Sequence, residues 1–198
     1  MARGIVRQFQ DKRALSRLNN RDKEAFIKAY DENVAEIYRF VYFKIGHQEE
    51  AHDLTSMIFL KTWNHIQNKT LEDAKTLRAL LYKIARTSII DYYRDTGAKM
   101  KATLSLDNEE HPLDLPDKDA PDLNENLDLK TDFQLIKSKL PLLKEEYREV
   151  IIMRFINDLS LEEIADVTGK SRGALRVLIH RALSALRGLV EKELKEQK

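Results

Sequence analysis

The sequence predicts an all-α protein, two small helical domains joined by a flexible acidic linker. Only 6 glycines and 4 prolines interrupt the 198 residues, and much of the rest is Leu, Ala, Lys, Glu and Arg, the stronger helix formers. Apolar residues recur at three- and four-residue steps over most of the chain, and no run shows the strict alternation of a strand. Between about Asp95 and Lys130 that periodicity lapses, and Pro112, Pro116 and Pro121 fall there within an acidic run. Such a composition buries too little apolar surface to offset the entropy of ordering. At roughly 35 residues the segment is also too long for an ordinary loop inside one compact domain. The expected division is a first domain over 1–95, a linker over 96–130 and a second domain over 131–198.

A short helix is expected around Phe26 and Tyr30. The next has Val34, Ile37, Tyr38, Val41, Tyr42 and Ile45 as its apolar stripe and stops at Gly46. A helix from about Glu49 to Gln67 carries Ala51, Leu54 and Ile58 on one side, with Phe59, Trp63 and Ile66 broadening its apolar surface. Another has Leu77, Leu80, Leu81 and Ile84 as its stripe and ends in the polar-aromatic run from Ser88 to Arg94. After the linker, Phe133, Ile136 and Leu140 predict a helix stopped by Pro141, and Tyr147, Val150, Ile151 and Phe155 mark the one that follows.

The stretch from Ser160 to Arg176 is the most informative. Ser160 and Glu163 have the spacing of a capping box, which satisfies free amides at a helix start. Gly169 suits the left-handed residue that ends such a helix, and Ser171 can cap the next one only two residues later. Two short helices so joined make a helix-turn-helix. On the second of them Leu175, Ile179, Ala182 and Leu186 share an inward face, while Arg172, Arg176, His180 and Arg181 lie toward the other side. A helix fits the major groove, and arginine pairs well with guanine edges and phosphates.

Composition limits the alternatives. Hydrophobic residues make up 42% and charged residues 34%, a mix suited to modest cores under a wet surface. Cysteine is absent, which removes disulfides and Cys-based zinc sites and fits a reducing cytoplasm. No segment reads as a signal peptide, and no apolar run approaches the roughly 20 residues that span a bilayer. The expectation is a soluble, cytoplasmic protein that does not insert into membranes. A formal net charge of +1 conceals an asymmetry, since Asp107 to Asp128 holds nine acidic residues against one lysine and the rest of the chain carries about +9. A basic remainder suits nucleic acid. His47, His52, His65, His111 and His180 form no metal-ligand spacing, and there is no glycine-rich phosphate loop. No cofactor, no metal and no catalytic residue is therefore expected, and the chain is not read as an enzyme.

Ala51-His52-Asp53-Leu54-Thr55 through Ile58-Phe59-Leu60-Lys61-Thr62-Trp63 resembles the second conserved region of extracytoplasmic-function (ECF) sigma factors of bacterial RNA polymerase. So does Leu80-Leu81-Tyr82-Lys83-Ile84-Ala85-Arg86 continuing to Ile90-Asp91-Tyr92-Tyr93-Arg94. The helix-turn-helix, with His180-Arg181-Ala182-Leu183 and Leu186-Arg187, resembles the fourth region. The resemblance implies a protein that binds core RNA polymerase, recognises −35 and −10 promoter elements and promotes promoter melting. It implies polymerase contacts at Asp53, Leu54, Ile58, Phe59 and Trp63. It places the −10 element at Arg86, Thr87, Tyr92, Tyr93 and Arg94, and the −35 element at Lys170, Ser171, Arg172, Arg176, His180 and Arg181. It also suggests an anti-sigma factor as a partner, and a free protein that is a monomer. Ser56 stands where family members commonly have glutamine, Thr87 where they have asparagine, and Val177 and Leu178 where polar or basic residues are common. A helix-turn-helix regulator acting without polymerase is the alternative; it accounts for the second domain and leaves the first unassigned.

Overall fold

A computed structural model describes residues 15–71, 74–95 and 135–196. The predicted linker lies outside the described residues.

Helix α1 spans Lys23–Ile45. The Asp22 carboxylate accepts from the amides of Glu24 and Ala25 at 3.0 and 3.2 Å, and Gly46 ends the helix at φ 82°, a left-handed conformation that favours glycine. The sequence predicts a separate short helix around Phe26 and Tyr30; these residues instead form the first turns of α1. No glycine or proline separates Tyr30 from Val34, and the Asn33 side chain donates back to the Ala29 carbonyl at 2.7 Å, inside the helix. Helix α2 spans Gln48–Asn68 and α3 Ala74–Asp95. The three pack around Ile37, Phe40, Val41, Ile58, Leu81 and Tyr82, all fully buried, with Phe40 and Tyr82 edge to face at 5.1 Å.

In the second half, residues 135–139 are helical, and Pro141 falls in the tight turn Leu140–Leu142. Helix α4 spans Glu145–Ile151, and a π-type turn follows over Ile152–Ile156. The helix-turn-helix pair is α5, Leu161–Thr168, and α6, Arg172–Glu196. The π turn corrects the expected stripe. An extra residue per turn makes Ile156, rather than Phe155, continue the inward face, so Phe155 is 54% exposed while Ile156 packs against the core.

The two halves pack directly on one another. Arg78 of α3 binds Glu36 of α1 through two nitrogens, at 2.9 and 2.6 Å, and reaches Glu163 of α5 at 2.6 Å. Asn157, just past the π turn, donates to the Tyr82 hydroxyl at 2.7 Å and to the Glu36 carbonyl at 2.8 Å. Lys44, near the end of α1, is only 4% exposed; its ammonium pairs with Glu145 and lies 3.6 Å from Glu149, both on α4.

Burial pushes the Lys44 pKa down to about 8 from its ordinary 10.5, against the attraction of Glu149 and with the repulsion of Arg148 and Arg86 added. Separating the halves would return Lys44 to water and restore its ordinary value. The separated state then binds more protons above pH 8, so the packed arrangement gains stability as pH rises from about 8 toward 9.5, before tyrosines ionise. Protease resistance of the full chain in mild urea is expected to be greater at pH 9.5 than at pH 7.5, with protease activity normalised on an unfolded substrate. The opposite trend would show that Lys44 is not desolvated at this boundary.

Candidate nucleic-acid interface

The helix-turn-helix is built by local chemistry. The Ser160 hydroxyl accepts from the Glu163 amide at 3.2 Å, and the Glu163 carboxylate accepts from the Ser160 amide at 2.8 Å. Gly169 turns the chain at φ 71°, and the Ser171 hydroxyl accepts from the Ala174 amide at 3.2 Å at the start of α6. Ile164, Val167, Leu175 and Ala182 are buried between the helices, and Ile179 and Leu186 pack beside them.

Among the predicted −35 residues, Arg176, His180 and Arg181 are exposed on α6. Their side chains make no hydrogen bond or ion pair with any described residue. Arg172 is exposed but pairs with Glu162 of α5 at 3.0 Å. Lys170 lies 3.5 Å from Glu146, and Ser171 serves as the cap. Surface pairs of this kind are worth little and exchange readily for a phosphate.

The predicted −10 residues do not form one surface. Arg86 and Tyr93, seven residues apart, share the side of α3 turned into the protein. Arg86 binds the Glu149 carboxylate at 2.9 and 3.2 Å and the Val167 carbonyl at 3.2 Å. The Tyr93 hydroxyl donates to the Lys44 carbonyl at 2.7 Å. Arg86 is thus an internal link between the halves here, because Glu149 supplies the anion that a phosphate would supply. Tyr92 packs edge to face on Tyr93 at 5.4 Å. Its hydroxyl donates to Glu50, and burial, followed by that bond, raises its pKa. Thr87 and Arg94 lie on the outward side, with Arg94 3.0 Å from Asp91. Sequence reasoning missed two residues there. Lys83 and Ile90 are exposed at helical spacing with Thr87 and Arg94, and Ile90, 66% exposed, breaks the rule that an apolar residue on an amphipathic helix faces inward.

The residues expected to contact polymerase fall on two faces of α2. Leu54, Ile58 and Phe59 are buried in the core of the first half, because positions 51, 54, 55, 58, 59, 62 and 66 follow the inward face of α2. Phe59 packs on Tyr30 at 4.7 Å, and half-buried Trp63 on Phe26 at 4.8 Å. Asp53 alone of the set is exposed, on an outer face shared with Met57 and Leu60, which are 49% and 60% exposed. The i+4 and i+7 spacing from Asp53 is the signal that could have found them.

Among the described residues no helix is long and apolar enough to cross a membrane, and no group of three or more His, Asp or Glu side chains is arranged to hold a metal ion.

Comparison with known proteins places these elements. The sigma-70 region 2 profile matches residues 29–99, and the sigma-70 region 4 profile matches 133–186. The chain is 26% identical to the RNA polymerase sigma factor SigV of Bacillus subtilis over 171 residues, covering 86% of this chain and 94% of SigV. It is 28% identical to the ECF sigma factor SigW of the same organism over 190 residues, 89% of this chain and 94% of SigW. With the ECF sigma factor BldN of Streptomyces coelicolor it shares 27% over 169 residues, 85% of this chain but 61% of BldN. Two solved structures have a similar fold. CnrH, in complex with the cytosolic domain of CnrY, superposes with a TM-score of 0.64 at 21% identity, covering 92% of this chain and 97% of CnrH. RpoE of Bartonella quintana, in complex with the anti-sigma factor NepR, gives 0.61 at 22% identity, covering 84% and 96%. With region 2 on α1 to α3 and region 4 from residue 133 into α6, in that order along one helical chain, this protein belongs to the ECF-type RNA polymerase sigma factors.

Proposed function

We propose that this chain binds core RNA polymerase, reads a −35 element with α6 and a −10 element with the end of α3, and promotes promoter melting. One observation carries the reading: α6 presents Arg176, His180 and Arg181, without a partner among the described residues, away from its buried seam, on a chain whose other half matches region 2. The outer face of α2, with Asp53, Met57 and Leu60, is the surface offered to polymerase. Thr87, Ile90, Tyr92 and Arg94 are the residues offered to unstacked bases and their phosphates, since such bases need flat or apolar platforms beside positive charge. Arg86 and Tyr93 join them once the halves separate. The role is non-catalytic and cytoplasmic. The proposal includes an anti-sigma partner, supported by the complex in which RpoE is held by NepR. The division at 1–95, 96–130 and 131–198 is proposed as the unit boundaries.

Reconstituted transcription with core polymerase on a genomic promoter library is the test, and initiation dependent on the added protein is the expected result. Within that assay, Arg176→Ala should weaken −35 discrimination by about 1–3 kcal/mol, the range of a bidentate arginine contact. On a template already mismatched and open at −10, the same variant should retain melting-independent steps. Full −35 selectivity in folded Arg176→Ala would remove Arg176 from the reading surface.

A further inference from the structure

We propose that Val177 is a specificity residue of the −35 reader, recognising the C5-methyl group of a thymine in the major groove. This rests on the proposal that α6 enters that groove. Successive residues on a helix turn by about 100°. With Leu175 and Ala182 fully buried along one seam, the positions diametrically opposite are Gly173, Val177, His180 and Ser184, all exposed. Arg176 and Arg181 flank that line, one on each side, while Arg172 points back toward α5 and its partner Glu162. On the first turns of α6 the positions deepest in a groove would then be Gly173 and Val177, with His180 and Ser184 following them and Arg176 and Arg181 at the edges, where the phosphates run.

Val177 is 51% exposed, so the fold of this chain does not use its full apolar surface. Its β-branch fixes χ1 in a helix, so the two methyls are held in one orientation without an ordering cost on binding. One turn earlier, a Cβ added at Gly173 would meet only the Ser171 hydroxyl, at 4.0 Å, which leaves room for a base edge to approach the backbone. The only apolar group that the four base pairs display in the major groove is the thymine methyl. A valine set between arginines matches a methyl set between phosphates, and it offers nothing to a cytosine amino group in the same place.

The test uses full-length protein with core polymerase and a promoter library randomised across −35. Thymine should be enriched at one position in the parent, and that enrichment should vanish in Val177→Ala, a change at an exposed helical site that leaves the fold intact. Replacing that thymine by deoxyuridine removes the methyl alone. It should lower parent promoter occupancy about fourfold, the factor carried by one buried methyl or methylene, and leave Val177→Ala unchanged. Strong −35 selection by a parent indifferent to the methyl overturns the assignment of Val177 while leaving the −35 reading intact. Initiation without any −35 preference sinks that reading, and the assignment with it.

Discussion

Glu149→Ala is expected to loosen the packing of the two halves more than any exposed substitution. The Glu149 carboxylate faces Arg86 of α3 at 2.9 Å and Lys44 of α1 at 3.6 Å, and the residue is 8% exposed. Its removal leaves Arg86 with the Val167 carbonyl and Lys44 with Glu145, beside Arg148, which is itself buried and whose Nε has no partner among the described residues. Breaking one side of a buried ion pair costs about 3–5 kcal/mol, mostly as desolvated charge left behind. The cheapest relief is to return the cations to water, and because Glu149 lies on α4 and the cations it binds on α1 and α3, that means parting the halves. Fluorescent labels on exposed sites of α2 and α6 should report a longer mean distance, while circular dichroism shows the helices retained. Unchanged distance together with an unchanged melting temperature would rule out Glu149 as the link. Arg86 would also be released toward solvent, so binding of single-stranded −10 DNA by the free protein should tighten along with the opening.

Asn157→Ala should act at the same boundary by a different mechanism. The Asn157 amide gives its two protons to the Tyr82 hydroxyl and the Glu36 carbonyl, and the Tyr82 side chain is fully buried. Each buried polar group left without its partner costs about 1–3 kcal/mol. The Glu36 carbonyl keeps its helical partner within α1, so Tyr82→Phe in the Asn157→Ala background removes the orphaned hydroxyl and should recover part of the loss. A double-mutant cycle in urea measures this directly, with an expected coupling of about 0.5–3 kcal/mol. Additive effects would mean that the hydrogen bond contributes nothing to packing in solution. The comparison with Glu149 is informative, because raising salt should weaken the ionic link far less than it weakens surface pairs and should leave the neutral Asn157 link untouched.

What the sequence determined by itself is what local physics determines. Helix ends were legible because caps act over two to four residues: Gly46, the Ser160–Glu163 box and Gly169 all stand where the pattern places them. The seam of α6 was legible because Leu175 and Ala182 keep helical spacing beside polar neighbours. The tertiary structure alone decided the fate of residues whose partners lie far away. Arg86 reads as a DNA contact until Glu149, 63 residues on, takes its guanidinium, and Asn157 looks like an ordinary loop residue until Glu36, 121 residues earlier, takes its amide. The resemblance implies polymerase contacts at Leu54, Ile58 and Phe59, and periodicity cannot say which flank of α2, apolar around more than half its circumference, is covered. Only packing against α1 and α3 distinguishes the buried flank from Met57 and Leu60, because burial depends on which neighbours arrive, and no helix carries that information within its own sequence.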